Sequence, residues 1–344
     1  MKQKKLCLIR YFIGIDVSKA TFNYCVRYGG GNVINGKVGN NIESIKEFVL
    51  TLKEIPGFRL ANAVFGMEVT GIYGLVLMNG LAKMKAKVVV EPAMRIKNSL
   101  GIIRGKNDKL DAARITRYLI KNLQELKLWV PRRKIIDELS SLSTLRERMV
   151  KVNKIMTTPL NEDDGFIDVH ISSVNIKLCS PSILQMEQLV KDIDERIKTL
   201  WSNDEQCERL MKIMISVMGI GDVIALQILI HSNEFKSITT ARTFASYCGI
   251  APFEYDLGTS VKKLARVSPV ANKKIKSLLH NGVRTCIGFD AEIRAYYRRR
   301  VEVDKKNKMS VMNAIKFKLI CRVFACIRGD RLYDRNYTSP IPKV

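Results

Sequence analysis

The sequence is poor in the residues that build zinc centres and disulfide frameworks. It holds three histidines, His170, His231 and His280, each standing alone, and eight cysteines with no Cys-x-x-Cys pair among them. That scatter excludes a zinc ribbon or a stapled secreted domain and leaves the cysteines as small core residues of a reducing compartment. No apolar run reaches the ~20 residues of a membrane span. The start, Met1-Lys2-Gln3-Lys4-Lys5, is basic and precedes an apolar stretch, as in a leader peptide. Arg10 and Asp16 break that stretch and it lacks a small-residue cleavage site, so it reads as a first strand and the chain as cytoplasmic. Acids are scarce too: 33 Asp+Glu face 58 Lys+Arg, a net charge of +25. From Val261 to Val344 the balance is 21 basic to 6 acidic residues, so this segment alone carries +15. A polyanion is the natural partner of such a surface, and nucleic acid the expected one.

What is present is a globular chain. Its 344 residues are 47% hydrophobic, which implies two or three domains. Leu8 to Val17 and Thr21 to Tyr28 read as strands. A Gly29-Gly30-Gly31 turn leads into a third at Asn32 to Lys37, giving a meander of hairpins. Ile42 to Leu52 has helical spacing, Asn62 to Val69 and Lys87 to Val90 read as further strands, and Gly71 to Lys83, Pro92 to Leu100 and Asp108 to Lys121 as helices. The order implies an α/β layer with antiparallel strands along one edge of a parallel sheet.

Few as they are, four acids take up telling places. Asp16 ends the first strand, Glu68 ends the fourth, and Asp108 and Asp111 share one face at a helix start. The helix pair alone would be ordinary first-turn acids, screened by Arg104, Lys106, Lys109 and Arg114. With neighbouring first and fourth strands, and the helix crossing their ends, all four carboxylates converge. Such a cluster in a basic protein suits divalent cations, and two Mg²⁺ on shared carboxylates would clamp a phosphodiester.

Arg132 to Trp201 changes character. Ile135, Ile136, Leu139, Leu142, Leu145, Met149 and Val152 recur at threes and fours amid charge, and Met186 to Leu200 repeats the pattern after an irregular interval, Thr157 to Pro181. This implies either a coiled-coil arm or a helical hairpin folded on its own chain. Leu210 to Ile230 places Gly219-Ile220-Gly221 between two apolar helical runs. That is the outline of a helix-hairpin-helix that meets DNA phosphates, with Lys212 outside the core stripe, or else of a simple tight turn. A helix at Thr239 to Cys248, a loop from Gly249 to Ser260, a basic helix from Pro269 and two more helices to about Arg328 complete an all-α end.

Ile13-Gly14-Ile15-Asp16-Val17-Ser18-Lys19, Glu68-Val69-Thr70-Gly71 and Arg104-Gly105-Lys106-Asn107-Asp108-Lys109-Leu110-Asp111-Ala112, in this order, resemble the DEDD transposases of bacterial insertion elements, some of them bridge-RNA-guided recombinases. The loop that runs from Gly249-Ile250-Ala251-Pro252 to Ser260, with the helices after it, resembles the C-terminal domain of the same enzymes. The resemblance implies a RuvC/RNase H-like domain (1–130), a coiled-coil arm (131–205) and a helical C-terminal domain (206–344). It implies Mg²⁺ on Asp16, Glu68, Asp108 and Asp111, a nucleophilic serine, a homo-oligomer (dimer or tetramer) joined by arms, and a guide RNA that selects DNA sites. One departure stands out: Leu257 occupies the place of that serine, before Gly258. Ser260 is the nearest serine. Whether it takes over the chemistry, merely caps the turn, or stands in an impaired copy stays open, as does a Holliday-junction-type nuclease with no serine step.

Overall fold

The computed structural model describes residues 8–69, 71–101, 108–162, 165–257 and 261–336. Two compact units divide the chain, Met1–Pro131 and Arg132–Val344.

In the first unit, β1 (Tyr11–Val17), β2 (Thr21–Tyr28) and β3 (Asn32–Gly39) form an antiparallel meander. β4 (Ala63–Glu68) and β5 (Lys87–Glu91) then join β1 in parallel, giving the order β3-β2-β1-β4-β5. β1 and β4 are nearly continuous apolar runs because helices cover both faces. Alternation sorts their side chains. Ile13, Ile15, Phe65 and Met67 share a core with Ile45, Phe48 and Leu52 of α1 (Ile42–Lys53) and Leu77 and Leu81 of α2 (Gly74–Lys83). On the other face Val64 and Val89 join Ile96 of α3 (Ala93–Leu100) and Ile115, Tyr118 and Leu119 of α4 (Asp108–Lys121). Asn41 starts α1 by accepting the Ser44 N–H at 2.8 Å.

The second unit opens with two long helices, α5 (Lys134–Glu162) and α6 (Val169–Ser202), running antiparallel and tied by Arg146 to Asp194 at 2.5 and 2.9 Å. Their first and last turns bury Ile136, Leu139, Ile197 and Trp201 in the helical core. The interval expected to be irregular, Thr157 to Pro181, is largely helical: Pro159 and Pro181 lie inside the helices, and Asp168 caps α6 through the His170 N–H at 2.9 Å. Pro159 falls in the last turn of its helix. A proline removes a single N–H, and a long paired helix tolerates that loss at an exposed position.

Around α8 (Asp222–Ser232), buried from Ile224 to Ile230, stand α7 (Glu205–Ile215), α9 (Ala241–Tyr247), α10 (Lys273–Phe289), α11 (Ala291–Arg298) and α12 (Lys308–Arg328). A helix apolar on every side belongs at the centre. The unit is not all-α. β6 (Pro252–Leu257) and β7 (Val261–Val267) pair as an antiparallel hairpin, Pro252 opposite Val267 and Leu257 opposite Val261. Phe253, Tyr255 and Leu257 alternate with the period of a strand; the flanking glycines and proline pointed instead to a loop.

Candidate functional site

The candidate site grows from the carboxyl ends of β1 and β4. Ile15 pairs with Met67 in the parallel register, so Asp16 and Glu68 lie side by side one residue further on. Both share the parity of Gly14 and Gly66, and therefore the sheet face that α4 covers.

Gly14 makes that closeness possible. A Cβ there would collide with the Ala112 carbonyl and the Thr116 backbone and hydroxyl; at Gly66 it would lie 2.7 Å from Leu119. The buried Thr116 hydroxyl accepts the Gly14 N–H at 3.0 Å and donates to the Cys25 carbonyl at 2.8 Å. Since Ile115, Tyr118 and Leu119 share a core with Ile9 and Val64 near the strands' amino ends, α4 begins towards their carboxyl ends. Asp111 is thereby brought to the end of the sheet where Asp16 and Glu68 stand. It is half-buried and engaged by Arg114 at 2.5 Å. Arg104 to Asn107 and the side chain of Asp108 lie outside the described residues. Among the described residues, no group of three or more His, Cys, Asp or Glu is close enough to hold a metal. The donor chemistry fits a hard cation nonetheless: Asp16, Glu68 and Asp111 offer carboxylate oxygen alone.

Sequence reasoning missed a further carboxylate. Glu91, opposite Glu68 in the β4–β5 register, is buried and bonded to Arg95 at 3.3 Å. It also bonds Tyr118, whose phenol is pushed up to about 12 by burial first and then by the Glu91 charge. Glu91 is thus engaged in holding α3 and α4 to the sheet edge. Its signal in the sequence was only the end of an apolar strand.

In the second unit the Gly249 turn (φ 64°) leads into β6, and Asn313 donates to the Ile250 carbonyl at 2.6 Å. Leu257 ends β6; Gly258 and Ser260 lie outside the described residues. The Gly219 turn (φ 86°) is held against α10, where a Cβ would lie 2.7 Å from the Gly282 carbonyl. Gly221 starts α8 with open space around it. Lys212 is exposed and bridges to Glu208 at 2.7 Å.

A second group invisible in the sequence sits where α5 meets the helical core. Arg133 donates to Asp204 at 2.7 and 2.8 Å and to the wholly buried Glu234 at 2.5 Å, and Lys236 joins Glu234 at 2.7 Å. Burial works against the Glu234 charge, yet the bonds from Arg133 and Lys236 prevail and hold its carboxyl below the usual range. Asn233, Glu234 and Phe235 are all left-handed, at φ 52°, 54° and 61°. No glycine announces this. Each costs about 1 kcal/mol or more, offset by the ion pairs that the turn aims.

Two family models match the chain, in order. A DEDD-type IS110 model described as "Transposase" matches residues 13–154, and a "Transposase IS116/IS110/IS902 family" model matches residues 211–298. The pilin gene-inverting proteins of Moraxella bovis and Moraxella lacunata are each 25% identical over 332 residues, covering 94% of this chain and 98% of theirs. An uncharacterized 43.6 kDa protein of insertion element IS110 from Streptomyces coelicolor is 26% identical over 177 residues, 52% of this chain and 41% of that protein.

Proposed function

Because the chain belongs to the IS110-type transposases and recombinases, DNA-processing proteins whose partner is DNA, we propose that it cuts and rejoins DNA with a carboxylate-held divalent metal. The observation that carries this reading is the placement of Asp16 and Glu68 as neighbours on adjacent parallel strands, with α4 beginning at the same end. Asp16, Glu68, Asp108 and Asp111 would hold the metal, Mg²⁺ by the oxygen-only donor set. When bound, it supplies positive charge for a phosphodiester's developing negative charge. The part of the chain's own residues is to keep the carboxylates aligned. Thr116 and Gly14 fix the height of α4 over the sheet, and Arg114 orients Asp111.

The domain assignment accords with the same reading: a RuvC/RNase H-like unit (1–130), an arm (131–205) and a helical unit with its hairpin (206–344). The arm leaves Ile155, Val169 and Leu178 largely exposed, and Phe166 at 92% exposure. Such a surface suits a second copy of the chain, hence a dimer or tetramer. A guide RNA would choose the DNA sites, its backbone held by the basic C-terminal helices. Ser260, between β6 and β7 in the sequence, is the serine proposed for a covalent DNA link. Leu257 favours a second reading, a metal-dependent nuclease with no serine step.

The test uses the purified chain, a plasmid carrying the DNA that flanks its own coding sequence, and Mg²⁺. Strand cleavage by the parent, lost by at least about 100-fold in Asp16→Asn, is expected. Undiminished cleavage in Asp16→Asn removes the carboxylate-metal reading. A covalent protein–DNA adduct abolished by Ser260→Ala assigns the nucleophile, and cleavage without any adduct selects the nuclease.

A further inference from the structure

The second unit contains a cavity of about 920 Å³ between the start of β6, the end of β7, α10 and α12. Its described lining includes three cations, Arg242, Lys276 and Lys316, and no acid. Lys316 is the unusual one. The residue is only 3% exposed, and no carboxylate among the described residues pairs with it. Burial, and then the charge of Lys276, pull its ammonium below the usual lysine value, as expected of a cation lacking a counter-charge. His280, whose ring is lowered by burial first and then by Lys316 and Arg284, carries no negative charge in either of its forms and so offers no counter-charge.

Packing alone does not call for this arrangement. A methionine would fill much of the same space without placing a buried ammonium beside a second ammonium. The energetic gap closes when an anion enters. The rim then indicates what the anion is attached to: Phe317, 37% exposed, lines the cavity, and an exposed aromatic beside a cationic floor is how unpaired bases and their phosphates are seated. Asn313, also on the lining, ties α12 to the Ile250 carbonyl two residues before β6 begins.

We propose that the cavity seats one phosphate of an unpaired DNA strand, on Lys316 and Lys276 with a base against Phe317, at the foot of the β6–β7 hairpin. The choice of DNA as the source rests on the proposed function; the phosphate chemistry does not.

The experiment uses the full chain, parent and Lys316→Met, with inorganic phosphate and with a single-stranded DNA oligonucleotide. Phosphate is expected to raise the thermal midpoint of the parent but not of Lys316→Met. Without ligand, that variant should melt at or above the parent's temperature, because an uncompensated charge has gone. Its single-strand affinity should fall about tenfold or more at low salt, as for a lost charged hydrogen bond, and the slope of log affinity against log salt should shrink by about 0.7. Equal phosphate stabilisation of parent and variant overturns the proposal, as does a marked drop in the unliganded midpoint with the phosphate response retained. Lys276→Met, at a half-exposed position, gives the same readings should Lys316→Met fail to fold. A lost phosphate response with an unchanged DNA slope overturns DNA as the source in favour of free phosphate. If the parent neither binds nor cuts DNA while the phosphate result holds, the proposed function fails and the anion site stands.

Discussion

Gly14 and His231 show how much rests on single side chains. At Gly14 the smallest possible addition meets backbone atoms of α4, which cannot swing aside as a side-chain tip would. Gly14→Ala is therefore expected to lower stability by about 2 kcal/mol or more, while Gly288→Ala, in a helix with open space around it, should be neutral or slightly stabilising. Urea unfolding of the two variants checks this, and equal effects would contradict the close approach. His231 accepts or donates across 2.8 Å to the Tyr247 hydroxyl, which also receives Asn272 at 3.1 Å. Burial first, and then Arg132 and Lys274, pull its ring down to about 4. The unfolded chain takes up that proton near 6.5, so acid favours unfolding. Stability from this residue is full above about pH 6.5 and is lost progressively as pH falls towards 4. Urea midpoints measured from pH 7.5 to 4.5 should fall less in His231→Phe than in the parent.

Elements held by hydrophobic period were legible, and those held by paired charges were not. β2 and α4 run over the residues that their patterns mark, Thr21–Tyr28 and Asp108–Lys121, since alternation or a 3.6-residue stripe decides each. The parallel pairing of β1 with β4 accords with runs apolar on both faces. The Arg133, Asp204 and Glu234 group left no such trace, because its members stand 71 and 101 residues apart. The β6–β7 hairpin was hidden by turn residues that outweighed a short alternation. At the candidate site, the levels of Asp16 and Glu68 could be read from strand ends, whereas the engagement of Glu91 by Tyr118 depends on a crossing helix that no local pattern reveals. The charged group carries its own prediction. Arg133→Met leaves Glu234 buried with Lys236 alone and should cost about 3 kcal/mol or more; Arg133→Met with Glu234→Leu should recover part of that. A double-mutant cycle with no coupling would contradict the pairing.

For the whole molecule, the proposed function assigns holding DNA and cutting it to opposite charges. The net +25 suits a polyanion held through many weak contacts, and a few carboxylates are proposed for the chemistry. Asp111→Asn is expected to lose cleavage by at least about 100-fold while DNA affinity stays level or rises slightly, with repulsion of phosphate reduced. Fluorescence anisotropy at several salt concentrations, beside the cleavage assay, distinguishes this from misfolding, in which both would fall together.

The Thr116 hydroxyl has a consequence for how the protein is made. It joins Gly14, on β1, to a residue synthesised 102 positions later. Until α4 emerges, the sheet face bearing Asp16 and Glu68 has only α3 to cover it, and Gly14 has no partner for its N–H from the later helix. A ribosome halted before Ala112 therefore carries five strands' worth of sequence but a site still lacking α4. Limited proteolysis of stalled chains of increasing length should show protection of β1 and β4 arriving abruptly, once residues through about Leu126 are outside the ribosome, and not strand by strand.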